Sequence, residues 1–426
     1  MTDRSRPNRR TAAARRPIGA VAVLLLGITL LMAWHRPNDA PSHRAPAESR
    51  AAPTASAFQQ ALDSLHDRHG FPGATAAYAW ADGRSGVAAT GLADVEAGTP
   101  MTPETRMLAA SIGKTFVAAT AVALAEEGVL DLDAPIGRWL GDRPWFDRLP
   151  HHRRITLRHL LTHRSGLPDH VHTEAFAAAV SRRWKANGNP FPPDSLVSFV
   201  IGQPAVFAPG EGWAYSDTGY ILVGLILEAA TGRSYDDLVE ERFLAPLRLT
   251  HTQPSNQRHL PGIATGYTAD NPFGWPTRSV TGGDTLAWHP GIEWTGGGLV
   301  STSGDLARWG AALFGGRALP DDALTRMLTA PPIDPDAPEV RYGMGVAIRR
   351  DGAVGPIYGH GGWIPGYTSS LRYYADHGVA IAFQINTDIG LTDDTPSVVA
   401  AVEARLAETV LESEQRSPVS NRTDRD

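Results

Sequence analysis

Ser111-Ile112-Gly113-Lys114-Thr115-Phe116-Val117-Ala118-Ala119-Thr120-Ala121-Val122-Ala123-Leu124-Ala125-Glu126-Glu127 is an alanine-rich stretch closed by Gly128. Its composition predicts a helix over 111–127. Gly113-Lys114-Thr115 invites a phosphate-loop interpretation, but that loop needs a glycine five residues before Gly113, and position 108 is Leu. The pattern that remains is Ser-x-x-Lys, whose i, i+3 spacing sets the Ser111 hydroxyl and the Lys114 amine on one helical face. Lysine occurs at only two positions, Lys114 and Lys185, against 37 arginines. A desolvated lysine can lose its proton and arginine effectively cannot, so proton handling would explain a lysine kept at 114. The start of the helix also aims free backbone N–H groups at a developing oxyanion. The alternative is a surface lysine on an ordinary helix.

The chain has 426 residues, 42% hydrophobic and 20% charged, which excludes a wholly disordered or fibrous protein and allows a large core. It contains no cysteine, so disulfides, cysteine nucleophiles, thiolate metal sites and a lipidated cysteine are excluded. Residues 1–36 hold seven Arg and one Asp, so the rest of a chain of net charge −6 carries −12. An acidic body of this kind is a poor partner for nucleic acid, whose binding depends on neutralising phosphates.

Arg4, Arg6, Arg9, Arg10, Arg15 and Arg16 precede an uncharged run from Pro17 to Trp34. As a helix this run would extend about 27 Å, marginally enough to span a membrane. The arginines would stay in the cytoplasm, so the remainder is expected to be exported, with the folded domain periplasmic or extracellular. His35, Arg36 and Pro37 follow where a cleavage site would want small residues, which favours an uncleaved membrane anchor over a cleaved signal. Residues 37–57, rich in Pro, Ala and Ser, are expected to be a disordered linker; 58–412 the folded domain; and 413–426 a disordered tail.

Within the domain, Phe58, Leu62 and Leu65 recur at helical spacing before Gly70. Two β-like runs, 74–81 and 86–92, flank Asp82-Gly83-Arg84, a hairpin signal. From about 131 to 330 the pattern is mostly helical, broken by loops at 187–194 and 331–338. After 341 it turns to strands at 342–350, 367–375 and 378–386. The expected fold class is therefore α+β: an antiparallel sheet from N- and C-terminal segments, flanked by helices, with an inserted, mostly helical lobe. A cleft between the two lobes is the natural place for a site.

Two further stretches carry candidate chemistry. In Pro209-Gly210-Glu211-Gly212-Trp213-Ala214-Tyr215-Ser216-Asp217-Thr218-Gly219-Tyr220, Tyr215 falls in a loop before an apolar helix. A tyrosine beside a lysine can serve as a base if its pKa falls from about 10 toward 7, a stabilisation of roughly 4 kcal/mol. The alternative is a packing tyrosine with Asp217 or Thr218 as helix cap. In Tyr358-Gly359-His360-Gly361-Gly362-Trp363-Ile364-Pro365-Gly366-Tyr367, glycines allow close backbone approach to a ligand, or simply form a turn that opens a strand.

Taken together, these three features resemble the class C-type serine β-lactamases and the related D-alanyl-D-alanine carboxypeptidases and esterases, which carry S-x-x-K, Y-x-N and K-T-G or H-x-G in that order. Val129-Leu130-Asp131-Leu132-Asp133, Leu157 to Leu167, Phe207-Ala208-Pro209-Gly210 and Gly296 to Asp305 look similar too, so the resemblance covers roughly 58–410. It implies the β-lactamase/transpeptidase-like fold, Ser111 as acylated nucleophile, Lys114 as its partner and Tyr215 as general base. It further implies an oxyanion hole from the backbone N–H groups of Ser111 and Trp363, with Asp217, His360, Gly361 and Gly362 lining the substrate site. The chain departs from the pattern at Asp217, where the family has Asn: an ionised Asp only accepts hydrogen bonds, and would hold Lys114 charged and repel a carbonyl or carboxylate. It departs again at His360, a weaker and pH-dependent anion site where β-lactamases have lysine. Both changes argue against an efficient β-lactamase and leave a peptidase, amidase or esterase, with a D-alanyl-D-alanine carboxypeptidase-like peptidase or an esterase as the expected activity and a cell-wall peptide, ester or other small molecule as substrate. No metal and no organic cofactor is implied.

Two rival interpretations come from other classes. His159 and His163 lie four apart with His151, His152, His170 and His172 nearby, but the zinc-protease pattern needs a glutamate where Leu160 stands, so structural histidines are expected. A membrane-tethered sensor that binds cell-wall peptide or β-lactam without turnover is the non-enzymatic alternative.

Overall fold

Gly73-Ala74-Thr75-Ala76-Ala77-Tyr78-Ala79-Trp80 has no polar alternation, and every one of these residues is buried. A strand of this kind needs cover on both faces of its sheet. The computed structural model supplies it. It describes residues 55–415 apart from 187, 270, 351 and 392–396, so the expected N-terminal membrane segment and nearly all of the linker and tail lie outside the described residues.

The main sheet has eight strands, numbered along the chain: β1 Gly73–Trp80, β2 Ser85–Asp94, β3 Thr99–Pro100, β4 Val340–Tyr342, β5 Ala347–Arg349, β6 Ile357–Ile364, β7 Tyr367–Tyr374 and β8 Val379–Ile385. Their spatial order is β3-β2-β1-β8-β7-β6-β5-β4, with neighbours antiparallel. The two ends of the domain meet where β1 pairs with β8, Ala76 opposite Phe383. This is the α+β sheet of N- and C-terminal segments expected from the sequence.

One face is covered by two helices. Helix α1, Ala55–His69, stops at Gly70, whose φ of +68° suits glycine. It buries Phe58, Leu62 and Leu65 beside Val402, Leu406 and Val410, which belong to the C-terminal helix Val398–Gln415, against Tyr78, Ile381 and Phe383. The opposite face carries α2, Gly113–Glu126, and a helix over Ser303–Phe314. Helix α2 is buried nearly all round, as its alanine content allows. Phe116 stacks on Trp309 with ring centroids 3.9 Å apart, and the Trp309 indole N–H donates to Thr115 Oγ1 at 2.8 Å. Beyond α2 lies the inserted lobe, whose central apolar helix spans Asp217–Thr231.

Three sequence expectations differ in detail. The single strand expected over 342–350 is split into β4 and β5, with Gly345 at φ +68° between them, packed so closely on α2 that a Cβ would lie 2.6 Å from the Lys114 carbonyl oxygen. The stretch 250–302 is not helical: it holds short strands, including Leu299–Ser301, and 3-10 turns. The glycine-rich stretch around His360 is itself strand β6, and the chain turns after it, at Pro365-Gly366.

Gly113 has an ordinary helical φ of −55°, but a Cβ there would meet the Gly297 carbonyl oxygen at 1.9 Å. Gly113→Ala is therefore expected to destabilise the domain by about 1–3 kcal/mol, because backbone on both sides must move. A lowered urea midpoint with an unchanged slope would confirm this; an unchanged midpoint would refute the close approach.

Candidate active site

Ser111 occupies a 3-10 turn, Ala110–Ile112, that leads into α2. Ala110 is held at φ +47°, a conformation that L side chains seldom adopt. The turn is pinned on either side. Ser369 Oγ donates to the Ala109 carbonyl at 2.8 Å, and the Ala109 N–H donates to the Leu299 carbonyl at 2.9 Å. One helical turn on, the fully buried Lys114 ammonium points back at the serine, donating to Ser111 Oγ at 3.1 Å. It also donates to the Gly296 carbonyl and pairs with Asp217 Oδ1 at 2.5 Å. Its three protons are thus matched by three acceptors. Burial opposes its charge, but the Asp217 carboxylate and the Tyr215 oxygen together outweigh burial and hold the amine protonated, its pKa above the ordinary lysine value.

Tyr215 stands over this ammonium, with its ring centroid 4.9 Å from Nζ. The position follows from the next residue: Ser216 caps the helix Asp217–Thr231, accepting from the Gly219 N–H, and Asp217 is the first helical residue rather than the cap. The Tyr215 hydroxyl is buried and faces the Lys114 ammonium and the Ser111 hydroxyl. Burial pushes its pKa up; Lys114 opposes this and Asp217 adds to it, so in the resting site Tyr215 is a neutral phenol. The lowered pKa that a ready base would need is not present before substrate enters.

Behind Tyr215 a chain of hydrogen bonds fixes the protons of two histidines. The Ser216 N–H donates to His163 Nδ1 at 3.2 Å, which leaves the His163 proton on Nε2, 3.2 Å from Tyr342 Oη. Tyr342 in turn lies 2.8 Å from His360 Nε2, and His360 Nδ1 donates to the Gly361 carbonyl. The His163 ring is 4.1 Å from that of Tyr215. Burial, reinforced by Lys114, pushes the His360 pKa down to about 3. This corrects the expectation of a pH-dependent anion site: His360 lines the cavity as a neutral ring with both nitrogens engaged.

The cavity is lined by Ser111, Tyr215, Asp217, His360, Gly361 and Trp363 among the expected residues, with Lys114 directly beneath. The Trp363 indole is anchored by donation to Asp388 Oδ2 at 3.1 Å. Gly362 is not on the cavity wall. It faces inward, where a Cβ would meet Ser369 Oγ at 2.2 Å and the Ala109 carbonyl oxygen at 2.3 Å. Its role is to bring β6 onto the serine turn, not to touch substrate. Residues that sequence reasoning missed are Asp169 and Glu293, both on the wall, together with Tyr342 and the Gly296 carbonyl. No spacing signal marks any of them, since they come from separate loops and strands. The candidate metal histidines have structural partners: His159 and Thr156 cap each other, Nδ1 taking the Thr156 N–H at 3.2 Å, and His170 meets Thr218 Oγ1 at 3.1 Å. Among the described residues no group of three or more metal-ligating side chains is arranged to hold an ion.

Comparison with known proteins agrees with this geometry. The beta-lactamase family profile matches residues 58–404, and the chain belongs to that family. Over 311 residues it is 28% identical to penicillin-binding protein 4* of Bacillus subtilis (strain 168), covering 70% of this chain and 64% of that protein's length. The chain thus spans less than two thirds of this curated relative. Among solved structures, a D-stereospecific amidohydrolase from Streptomyces sp. is 31% identical with a TM-score of 0.69, covering 82% of this chain and 98% of that one. The D-amino acid amidase of Ochrobactrum anthropi SV3, complexed with L-phenylalanine, is 29% identical with a TM-score of 0.71, covering 84% and 99%.

The Asp217 carboxylate raises the pKa of both Lys114 and Tyr215. Asp217→Asn removes that anion, so whichever of the two serves as base loses its proton at lower pH. The ascending limb of kcat/KM against pH is expected to move to lower pH by about 1–3 units. A limb that stays in place or moves to higher pH would show that Asp217 does not govern the base.

Proposed function

We propose that this protein is a serine hydrolase that cleaves an amide or ester through an acyl-enzyme on Ser111. The observation that carries this reading is the Lys114 ammonium, 3.1 Å from Ser111 Oγ and 4.9 Å from the centre of the Tyr215 ring. Attack by Ser111 Oγ on the substrate carbonyl requires transfer of the hydroxyl proton. Tyr215 is the base: the resting phenol first gives its proton up to solvent, and the adjacent ammonium stabilises the phenolate that then takes the serine proton. The same phenol then protonates the leaving group, and its phenolate later activates the water that releases the acyl group. The N–H groups of Ser111 and Trp363 would stabilise the tetrahedral oxyanion. Gly362 and Ser369 support this role by packing β6 directly on the serine turn.

The substrate we favour is a small amide or ester built on a D-amino acid, rather than a β-lactam or a peptide with a free terminal carboxylate. Two things support this. The solved relatives are a D-amino acid amidase and a D-stereospecific amidohydrolase. In addition, the cations around the cavity are committed: Lys114 to three acceptors, and Arg372 to Glu403 at 3.0 Å. The arginine cluster ahead of the uncharged 17–34 run supports export and a membrane tether for this hydrolase.

Hydrolysis of p-nitrophenyl acetate and of D-phenylalanine amide is the direct test, read together with intact mass. Ser111→Ala is expected to lower kcat/KM by at least about 10³-fold and to abolish the acyl adduct. Tight binding of substrate by the wild type without turnover would favour the sensor alternative. Activity that survives Ser111→Ala would remove the serine mechanism altogether.

A further inference from the structure

The cavity wall carries three carboxylates, Asp169, Asp217 and Glu293, and each is placed differently. Asp217 is ion-paired with Lys114. Asp169 has a side chain only 6% exposed; its Oδ1 takes the Val171 N–H at 3.1 Å, and the Asp217 backbone N–H also donates to this carboxylate. Glu293 ends the turn Pro290–Ile292 and begins the one that presents the Gly296 carbonyl to Lys114. Its Oε2 is buried and has no hydrogen-bond partner. Space for this carboxylate is made by Gly297, where a Cβ would stand 2.9 Å from Glu293 Oε1. An orphaned carboxylate oxygen inside a binding cavity is costly unless a ligand completes it.

We propose that Glu293, with Asp169 beside the same cavity, forms a subsite for a substrate ammonium, so that the preferred substrate is an amino-acid amide or ester with a free α-amine. This rests on the hydrolase reading above. The surroundings leave room for a cation and none for an anion. The facing histidines are neutral: burial pushes His170 down to about 4 and His360 to about 3, and it lowers His172 as well. Burial also pushes Asp169 and Glu293 up to about 8, so without a ligand both hold protons at neutral pH, and an entering ammonium would ionise them. Next to the acids, Val171, Phe176, Phe273, Trp275 and Ile292 form an apolar wall of a size to take an aromatic or branched side chain. An amine and an apolar side chain on one carbon, with the scissile carbonyl directed at Ser111, is the α-amino acid pattern.

The test compares the methyl esters of D- and L-phenylalanine with their N-acetyl counterparts on the full chain, with p-nitrophenyl acetate as an ester that has no amine. The wild type is expected to lose about 100-fold or more in kcat/KM on N-acetylation, mainly through KM. In Glu293→Gln that preference should shrink by about 10-fold or more, and Asp169→Asn should shrink it in the same direction. A folding defect scales both esters together and leaves their ratio unchanged, so the ratio reads the subsite. Hydrolysis of p-nitrophenyl acetate without any preference for the free amine overturns the subsite and leaves the serine hydrolase standing. An unchanged ratio in Glu293→Gln that melts like the wild type also overturns it. If no ester acylates Ser111, the hydrolase reading falls and the subsite falls with it.

Discussion

A lysine ammonium with no exposure to solvent is the constraint around which this protein is arranged. An unpaired buried cation would be prohibitively costly, and here it is met by Ser111 in the adjoining 3-10 turn and by two groups from remote parts of the chain: Asp217 at the start of the lobe's central helix and the Gly296 carbonyl in a loop. The segments are held in register because Lys114 is satisfied only when both Asp217 and Gly296 arrive. Ser111 is therefore positioned by the requirement that makes the fold specific, and the lobe and the sheet domain are joined at the point where the chemistry would occur.

This convergence requires backbones to pass at distances that side chains forbid. Gly113 lies on the Gly297 carbonyl, Gly345 on the Lys114 carbonyl, and Gly362 on the Ala109 carbonyl. Ala110 is at φ +47° in the middle of this arrangement and is kept there by the bonds on Ala109. The glycines around the site are thus largely structural: they let three layers approach closely enough for one ammonium to bridge them. Only Gly361 and Gly296 among those discussed reach the cavity wall.

Electrostatics then separate this site from what its motifs suggest. A tyrosine beside a lysine looks like a tuned base, and a histidine on the neighbouring strand looks like an anion site. Burial makes the first a neutral phenol and the second a neutral ring, and Asp217 strengthens the effect on Tyr215. Two buried acids that keep their protons until a cation arrives, beside an Asp217–Lys114 pair that is already matched, are the property that would set substrate choice.

Much of this was legible in the chain itself. The apolar run 73–80, the helical spacing of Phe58, Leu62 and Leu65, the alanine-rich helix after Ser111 and the order of the three motifs are local patterns, and local patterns are what backbone geometry and burial imprint on sequence. They determined the α+β class and the sheet made from both ends, and the motif order carried the family resemblance that singled out Ser111, Lys114 and Tyr215. The split of β4 from β5, the irregular course of 250–302 and the strand at His360 were not legible, because each is imposed by packing on α2 and the serine turn from residues far away in the chain. The same holds for Glu293 and Asp169. A charge state depends on which groups surround a side chain and how much water they exclude, and those neighbours are decided only when the two lobes close around Lys114.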